Sequence, residues 1–325
     1  MPPVDTLQGL VAQLGPQLRL RWLTPMPQQP LALVSEALPG GAAQSLVGSL
    51  NCIHPNRLQV LGRAELHHLE DLSQATARET VARLFAARPA AVIFAQDIAP
   101  PPSFLAQAER MGTPLLASPT SEEEIVDRLQ YFLTYALAER TTLHGVFLEV
   151  LGMGVLLVGD PGIGKSELAL EMVVRGGHRL IADDAPEVAR IGPETLQGSC
   201  PELLRDFLEV RGLGVLNVRA MFGEGAVQQA EQLSLIVNMR ALDGEALAQM
   251  DRLRGSLSSR TILGVAIPEI TLPVAPGRNL AVLLETAVRH QILRRRGYDA
   301  SADLIERQAR SIDEAVPCTT PPPST

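Results

Sequence analysis

The chain has 325 residues, 46% of them hydrophobic and 20% charged, which is enough for two ordinary domains with buried cores. Aromatic residues make up only 3%, so those cores must rest on Leu, Val, Ile and Ala. A net charge of −8 excludes the basic footprint of non-specific nucleic-acid binding.

Three scattered cysteines, Cys52, Cys200 and Cys318, show no ligand-type spacing, which argues against a disulfide framework or structural zinc and suits a reducing, cytoplasmic setting. The opening MPPVDTLQGL carries no basic region followed by an apolar core, so no secretory leader is expected. The most apolar stretch, Gly145–Gly159, is too short for a membrane span and contains Glu149.

In chain order, Thr6–Leu14 has helical spacing, and Arg57–Leu61 and Ala90–Phe94 read as short buried strands. His67 and His68 fall on a charged, surface-type helix. The proline-rich loop Ile98–Ser103 leads into a helix at Phe104–Met111 and a strand at Thr113–Ala117. This alternation predicts parallel pairing in a small α/β (Rossmann-like) N-terminal domain, taken as residues 1–132. The next helix, Glu122–Ala138, carries Ile125, Leu129, Phe132 and Ala136 on one stripe and spans the expected boundary.

The second domain, residues 133–310, is denser in motifs. Phe147–Val150 and Val155–Val158 read as strands, Ser166–Arg175 as a helix stopped by Gly176-Gly177, and Arg179–Ala182 as the next strand. A strand near Ile270–Val274 precedes a helix from about Leu280, with Asn279 as N-cap and Leu280, Leu283, Leu284, Ala287, Val288 and Ile292 on its apolar face. Arg294–Arg296 close that helix, where cations complement its dipole. From Ser311 a disordered tail is expected, ending CTTPPPST.

Gly159-Asp160-Pro161-Gly162-Ile163-Gly164-Lys165-Ser166 matches GxxxxGK[ST] between a buried strand and an amphipathic helix. Glycines let successive N–H groups curl around phosphate oxygens, and the helix adds its positive end. Lys165 is then expected to reach the terminal phosphates of ATP, and Ser166 to ligate Mg²⁺. A helix of about ten residues runs ~15 Å away from this loop, and a five-residue strand returns ~16 Å. A right-handed parallel crossover therefore brings Asp183 level with the phosphates, where a carboxylate can take a proton from an attacking hydroxyl.

Around this core, Thr141–Val146 (TTLHGV), Leu180–Asp184 (LIADD), Glu209–Val218 (EVRGLGVLNV), Met221–Gly223 and Pro273–Ala281 (PVAPGRNLA) together resemble the HPr kinase/phosphorylase family, the HPr serine kinases. The resemblance covers roughly residues 50–300 and includes Arg57–Glu65 and Thr113–Pro119. It implies a C-terminal P-loop kinase domain similar to phosphoenolpyruvate carboxykinase, ATP or pyrophosphate and Mg²⁺ as cofactors, the phosphocarrier HPr as partner, and a homohexamer without membrane or nucleic-acid partners.

By position, it further implies that Gly159–Ser166 hold the nucleotide, that Ser166 and Glu209 bind Mg²⁺, and that Asp183 is base in the kinase direction and acid in phosphorolysis. His144 is expected near Asp183, and Arg252 on the transferring phosphoryl group. The segment Leu208, Val210, Arg211, Gly212, Leu213, Gly214, Val215, Leu216 and Asn217 is expected to serve substrate recognition. The turn Pro273, Val274, Ala275, Pro276, Gly277 and Arg278 is expected to serve phosphorolysis.

Without the resemblance, His144 reads as a structural histidine, Glu209 as an ion-pair partner of Arg211, and Arg254 competes with Arg252. Pro161, Ala275, Glu224 and Gln228 depart from the family pattern. Two other readings fit the nucleotide loop: a P-loop kinase of a small metabolite, and a nucleotide-sensing regulator that transfers nothing.

Overall fold

The computed structural model describes residues 5–33, 46–49, 56–241 and 257–315. The chain divides into two compact units, Met1–Ala138 and Glu139–Thr325.

The first unit is a five-stranded sheet between two helical layers. Strands β2 (Val47–Ser49), β3 (Leu58–Leu61), β4 (Ala91–Phe94) and β5 (Leu115–Ala117) run parallel, and β1 (Arg21–Trp22) closes one edge antiparallel to β5. Alternation along β4 sends Ile93 to one face, with α1 (Leu7–Leu18) and α5 (Glu122–Ala136), and Val92 and Phe94 to the other. That second face is covered by α2 (Arg63–Asp71), α3 (Gln74–Ala86) and α4 (Pro102–Met111). Phe104 meets Phe85 and Phe94 edge-on at 5.9 and 5.5 Å, a packing worth about 1 kcal/mol per pair beyond area burial. In α5, Ile125, Leu129 and Leu133 are buried, while Phe132 and Ala136 lie at the margin of the stripe. His67 and His68 are exposed on α2, as their charged neighbours suggest.

The second unit is built on a mixed sheet. Its central strands are β14 (Ala230–Ala241) and β8 (Met153–Gly159), which pair in parallel, with β16 (Val265–Val274) parallel on the far side of β14. Beyond β8 come β7 (Val146–Val150) and then β9 (His178–Ala182), each antiparallel to its neighbour. The strands β6 (Arg140–Thr142), β10 (Glu187–Gly192), β11 (Thr195–Ser199) and β15 (Leu257–Ile262) extend the sheet, while β12 (Phe207–Val210) and β13 (Gly214–Asn217) form a separate hairpin.

Helix α6 (Lys165–Arg175) and α8 (Leu280–Arg295) follow the residue pattern, with Asn279 capping α8 through Val282 N at 3.0 Å, while the short α7 (Val218–Phe222) was not assigned from it. Leu168 and Met172 of α6 and Leu284 and Val288 of α8 bury against Val155, Leu157 and Val237 on one face of the sheet. Leu156 and Val158 face the opposite side with Ile236, Phe147 and Ile267. Cys200 is buried, its thiol pushed up to about 11 chiefly by desolvation, which leaves it a poor nucleophile.

One expectation is corrected here, and one connection is longer than a single step. β7 lies between β8 and β9, so the crossover through α6 spans two strand positions while β8 and β9 still run parallel. The fully buried VFLEV of β7 fits either strand direction, and only long-range pairing decides it. A final helix, α9 (Ala300–Ala315), carries regular structure past Ser311, where the tail was expected to begin. Arg252, Arg254, Cys52, Cys318 and the end of the tail lie outside the described residues.

Candidate functional site

All the strands that matter point their ends at one cleft. β8 ends at Gly159, whose φ of 146° and close approach to β14 exclude a side chain, since a Cβ there would lie 2.4 Å from Met239 O. Gly162 and Gly164 then adopt left-handed φ values of 78° and 100°, turning the chain directly into α6. Among the described residues no side chain caps this helix start. Its first N–H groups therefore open onto the cleft with the positive end of the helix dipole behind them.

The cleft encloses about 250 Å³, near the lower end of the range for small-ligand sites, and is lined among others by Lys165, Ser166, Asp183, Glu209 and Arg211. Lys165 folds its ammonium back onto Gly159 O at 3.0 Å and Asp160 O at 3.2 Å. Ile163 turns away into the core, and Pro161 lines the wall. The Arg211 guanidinium stands over Gly162, its Nη1 3.5 Å from where a Cβ would be.

Asp183 follows β9. Its Oδ1 accepts from Ser166 Oγ at 3.2 Å and its Oδ2 from Glu209 N at 2.9 Å. Burial pushes its pKa above the usual carboxylate range, partly offset by those two hydrogen bonds. Such a carboxyl is suited to exchanging a proton with a nearby hydroxyl.

His144 lines the same cleft as Asp183. Its Nδ1 lies 3.0 Å from Asp184 Oδ1, so the histidine pairs with the second acidic residue and not with Asp183. Asp184 holds a φ of 67°, and its carbonyl accepts from Gly145 N at 3.1 Å. Gly145 is forced: a Cβ would sit 2.3 Å from Leu157 O.

Glu209 and Arg211 come from the β12–β13 hairpin, where Leu208 and Val210 point into the core and Glu209 faces out. Gly212 and Gly214 form the turn with φ of 88° and 82°. Leu213 and Val215 expose 65% and 68% of their surface, and Leu216 and Asn217 lead into α7. Pro273 and Val274 end β16, and Ala275 to Arg278 form the turn before α8. Those six residues do not line the cleft. Glu167 and Asp184 do line it and were not singled out as site residues; their adjacency in the chain to Ser166 and Asp183 was the available signal.

The donor set fits a magnesium–nucleotide pair. No cluster of three or more His, Cys, Asp or Glu among the described residues forms a metal cage. The Ser166 hydroxyl, with Asp183 and Glu209 nearby, offers the one or two hard oxygens that Mg²⁺ takes from a protein when phosphates and waters complete its shell. The uncapped helix start and Lys165 supply the anion cradle.

Two family models match the chain: HPr Serine kinase N terminus over residues 6–133 and HPr Serine kinase C-terminal domain over residues 135–308. Among similar proteins are those named HPr kinase/phosphorylase of Xanthomonas campestris pv. campestris and Stenotrophomonas maltophilia. Each is 47% identical over 274 residues, covering 84% of this chain and 86% of the relative. The one from Xanthomonas euvesicatoria pv. vesicatoria is 44% identical over 313 residues, 96% of this chain and 98% of its own. A solved structure of the Hpr(Ser) kinase/phosphatase from Coxiella burnetii is 35% identical, covers 50% of this chain and 98% of its own, and superposes with a TM-score of 0.45.

Proposed function

The chain belongs to the HPr serine kinase family, and on that premise we propose that it is a bifunctional enzyme acting on the phosphocarrier HPr, in the control of carbon metabolism. It phosphorylates a serine of HPr with ATP or pyrophosphate, and it removes that phosphoryl group by phosphorolysis. The observation that supports this most is the Asp183 carboxyl, half-buried and hydrogen-bonded to Ser166 at the mouth of an uncapped P-loop helix.

In the forward direction the serine oxygen attacks the terminal phosphorus, the bond to the leaving phosphate oxygen breaks, and Asp183 takes the serine proton. In reverse, an oxygen of inorganic phosphate attacks the phosphoserine phosphorus and pyrophosphate forms. Asp183 returns its proton to the departing serine oxygen. One carboxyl serves both directions by microscopic reversibility.

Lys165 leaves its two carbonyl partners for the terminal phosphates, and Gly159 to Ser166 wrap the rest of the chain of phosphates. Ser166 and Glu209 hold Mg²⁺, which when bound neutralises charge on the phosphates. Arg211, over Gly162, and Arg252 supply positive charge to the transferring group. His144 acts on Asp184, and through it on the loop before β7.

A protein substrate is favoured over a small metabolite by the exposed apolar side chains beside the cleft. Leu213 and Val215, two and four residues past Arg211 on the hairpin, and Met221 in α7 stand in solvent. The same family reading gives a homohexamer in the cytoplasm; no helix among the described residues is long and apolar enough to cross a membrane.

The test is direct. Purified protein, Mg²⁺, ATP and HPr are mixed, and intact-mass spectrometry looks for one phosphoryl group gained on a serine. Phosphate is then added and pyrophosphate assayed. No mass gain with either donor discards the kinase, and a gain without pyrophosphate release on adding phosphate discards the phosphorylase.

A further inference from the structure

The cleft depends on two elements whose near ends carry Ser166 and Asp183, namely α6 and β9. Their far ends are joined only by Gly176-Gly177, with φ of 79° and 78° and no atom within 4 Å of where either Cβ would stand. Such a link leaves the angle between helix and strand free. Apolar packing of α6 on the sheet resists separation but is non-directional.

Across this link sits one carboxylate from a third element. Glu285 of α8 places Oε1 3.2 Å from His178 Nε2, at the start of β9, and 3.9 Å from Arg175 Nη1, at the end of α6. Arg175 also donates to Glu171 Oε1 at 2.8 Å and to Asn279 Oδ1 at 3.1 Å, the N-cap of α8. His178 is only 4% exposed, and its Nδ1 is buried without a partner among the described residues. An orphaned buried nitrogen is tolerable as a bare acceptor and costly as a donor, so the ring proton belongs on Nε2, directed at Glu285.

We propose that Glu285 is a positioning residue that fixes the angle between α6 and β9 and thereby the Ser166–Asp183 geometry at the opposite end. The lever is long. Ser166 lies nine residues from Arg175, about 14 Å along the helix, so a tilt of roughly 4° displaces it by about 1 Å. A displacement of that size costs on the order of a hundredfold in a preorganised site. This inference rests on the proposed phosphoryl transfer for its kinetic readout, but not for its structural one.

The experiment compares full-length Glu285→Ala and Glu285→Gln with the parent. For Glu285→Ala, kcat should fall at least tenfold in both directions with KM for Mg²⁺–ATP within twofold. Glu285→Gln, which keeps an acceptor for His178 Nε2–H, should retain more than half of kcat. Amide exchange in Glu285→Ala should rise across residues 160–183 and stay unchanged in β14 and β16. A kcat within twofold of the parent, a Gln variant no better than Ala, or exchange that rises uniformly through the unit would overturn the positioning role. If the parent itself transfers nothing to HPr, the functional reading fails, and the exchange pattern alone still decides the clasp.

Discussion

Ser166, in the first turn of α6, and Asp183, one residue past β9, are joined by a 3.2 Å hydrogen bond from hydroxyl to carboxylate. Seventeen residues separate them, and the whole crossover through α6 exists between them. The bond brings to one point the hydroxyl and the carboxyl that the proposed phosphoryl transfer to an alcohol uses.

The raised pKa of Asp183 sets two pH dependences. Its largest cause is burial, so the native state binds the proton more tightly than the unfolded chain does. That contribution to stability is present below the ordinary Asp value of about 3.9 and is lost as pH rises through the higher folded value. Asp183→Asn should therefore melt slightly higher than the parent at pH 7, by under about 2 °C, and no higher at about pH 4. In kinetics, the kinase needs the ionised form and phosphorolysis the protonated one. The acid limb of kcat/KM for phosphorylation should lie above pH ~4, and the phosphorolysis profile should be displaced to lower pH.

Removal of the Lys165 ammonium should act on the ligand and hardly on the fold. Its two bonds go to carbonyls of the same loop. Calorimetry on Lys165→Ala should show Mg²⁺–ATP affinity reduced about thirtyfold or more, roughly 2 kcal/mol, with the melting temperature within about 2 °C.

Much of this geometry was readable from residue pattern. The glycine spacing located a loop that lines the cleft, and the matched lengths of α6 and β9 brought Asp183 to the same cleft. Pattern assigned no strand between Ala182 and Ile270, yet β10 to β15 all lie there. β14 is the parallel neighbour of β8, and its burial is decided by pairing with distant segments. Asp183-Asp184 read as a pair, but the two carboxyls take different partners, His144 for Asp184 and Ser166 for Asp183, and Asp184 has a positive φ. Asp is among the residues that adopt left-handed backbone most readily, but the sequence does not say which of the two aspartates does so.

Two glycines near the cleft should respond differently to alanine. Gly145→Ala drives a Cβ to 2.3 Å from Leu157 O at φ 155° and must disturb the β7–β8 ladder; denaturant unfolding should report a loss of about 2 kcal/mol or more. Gly212 has nothing within 4 Å, so Gly212→Ala carries only the left-handed backbone cost, about 1 kcal/mol.

Glu209 offers its backbone N–H to Asp183 and its carboxylate to solvent. Glu209→Gln keeps the first and removes the charge of the second. The Mg²⁺ concentration giving half-maximal transfer should rise about tenfold, near 1.4 kcal/mol, without loss of Asp183 alignment. An unchanged Mg²⁺ requirement would remove Glu209 from the metal site.

The most direct test of the acid/base role is single-turnover transfer from labelled ATP to HPr by Asp183→Asn, with nucleotide affinity measured on the same preparation. Asn can accept from Glu209 N through its oxygen and donate to the Ser166 hydroxyl through its amide, so the fold and cradle are kept. Transfer in both directions should be abolished while affinity for Mg²⁺–ATP stays within about tenfold, ~1.4 kcal/mol. Parent-like turnover in that variant would contradict the assignment of Asp183 as the group that moves the proton.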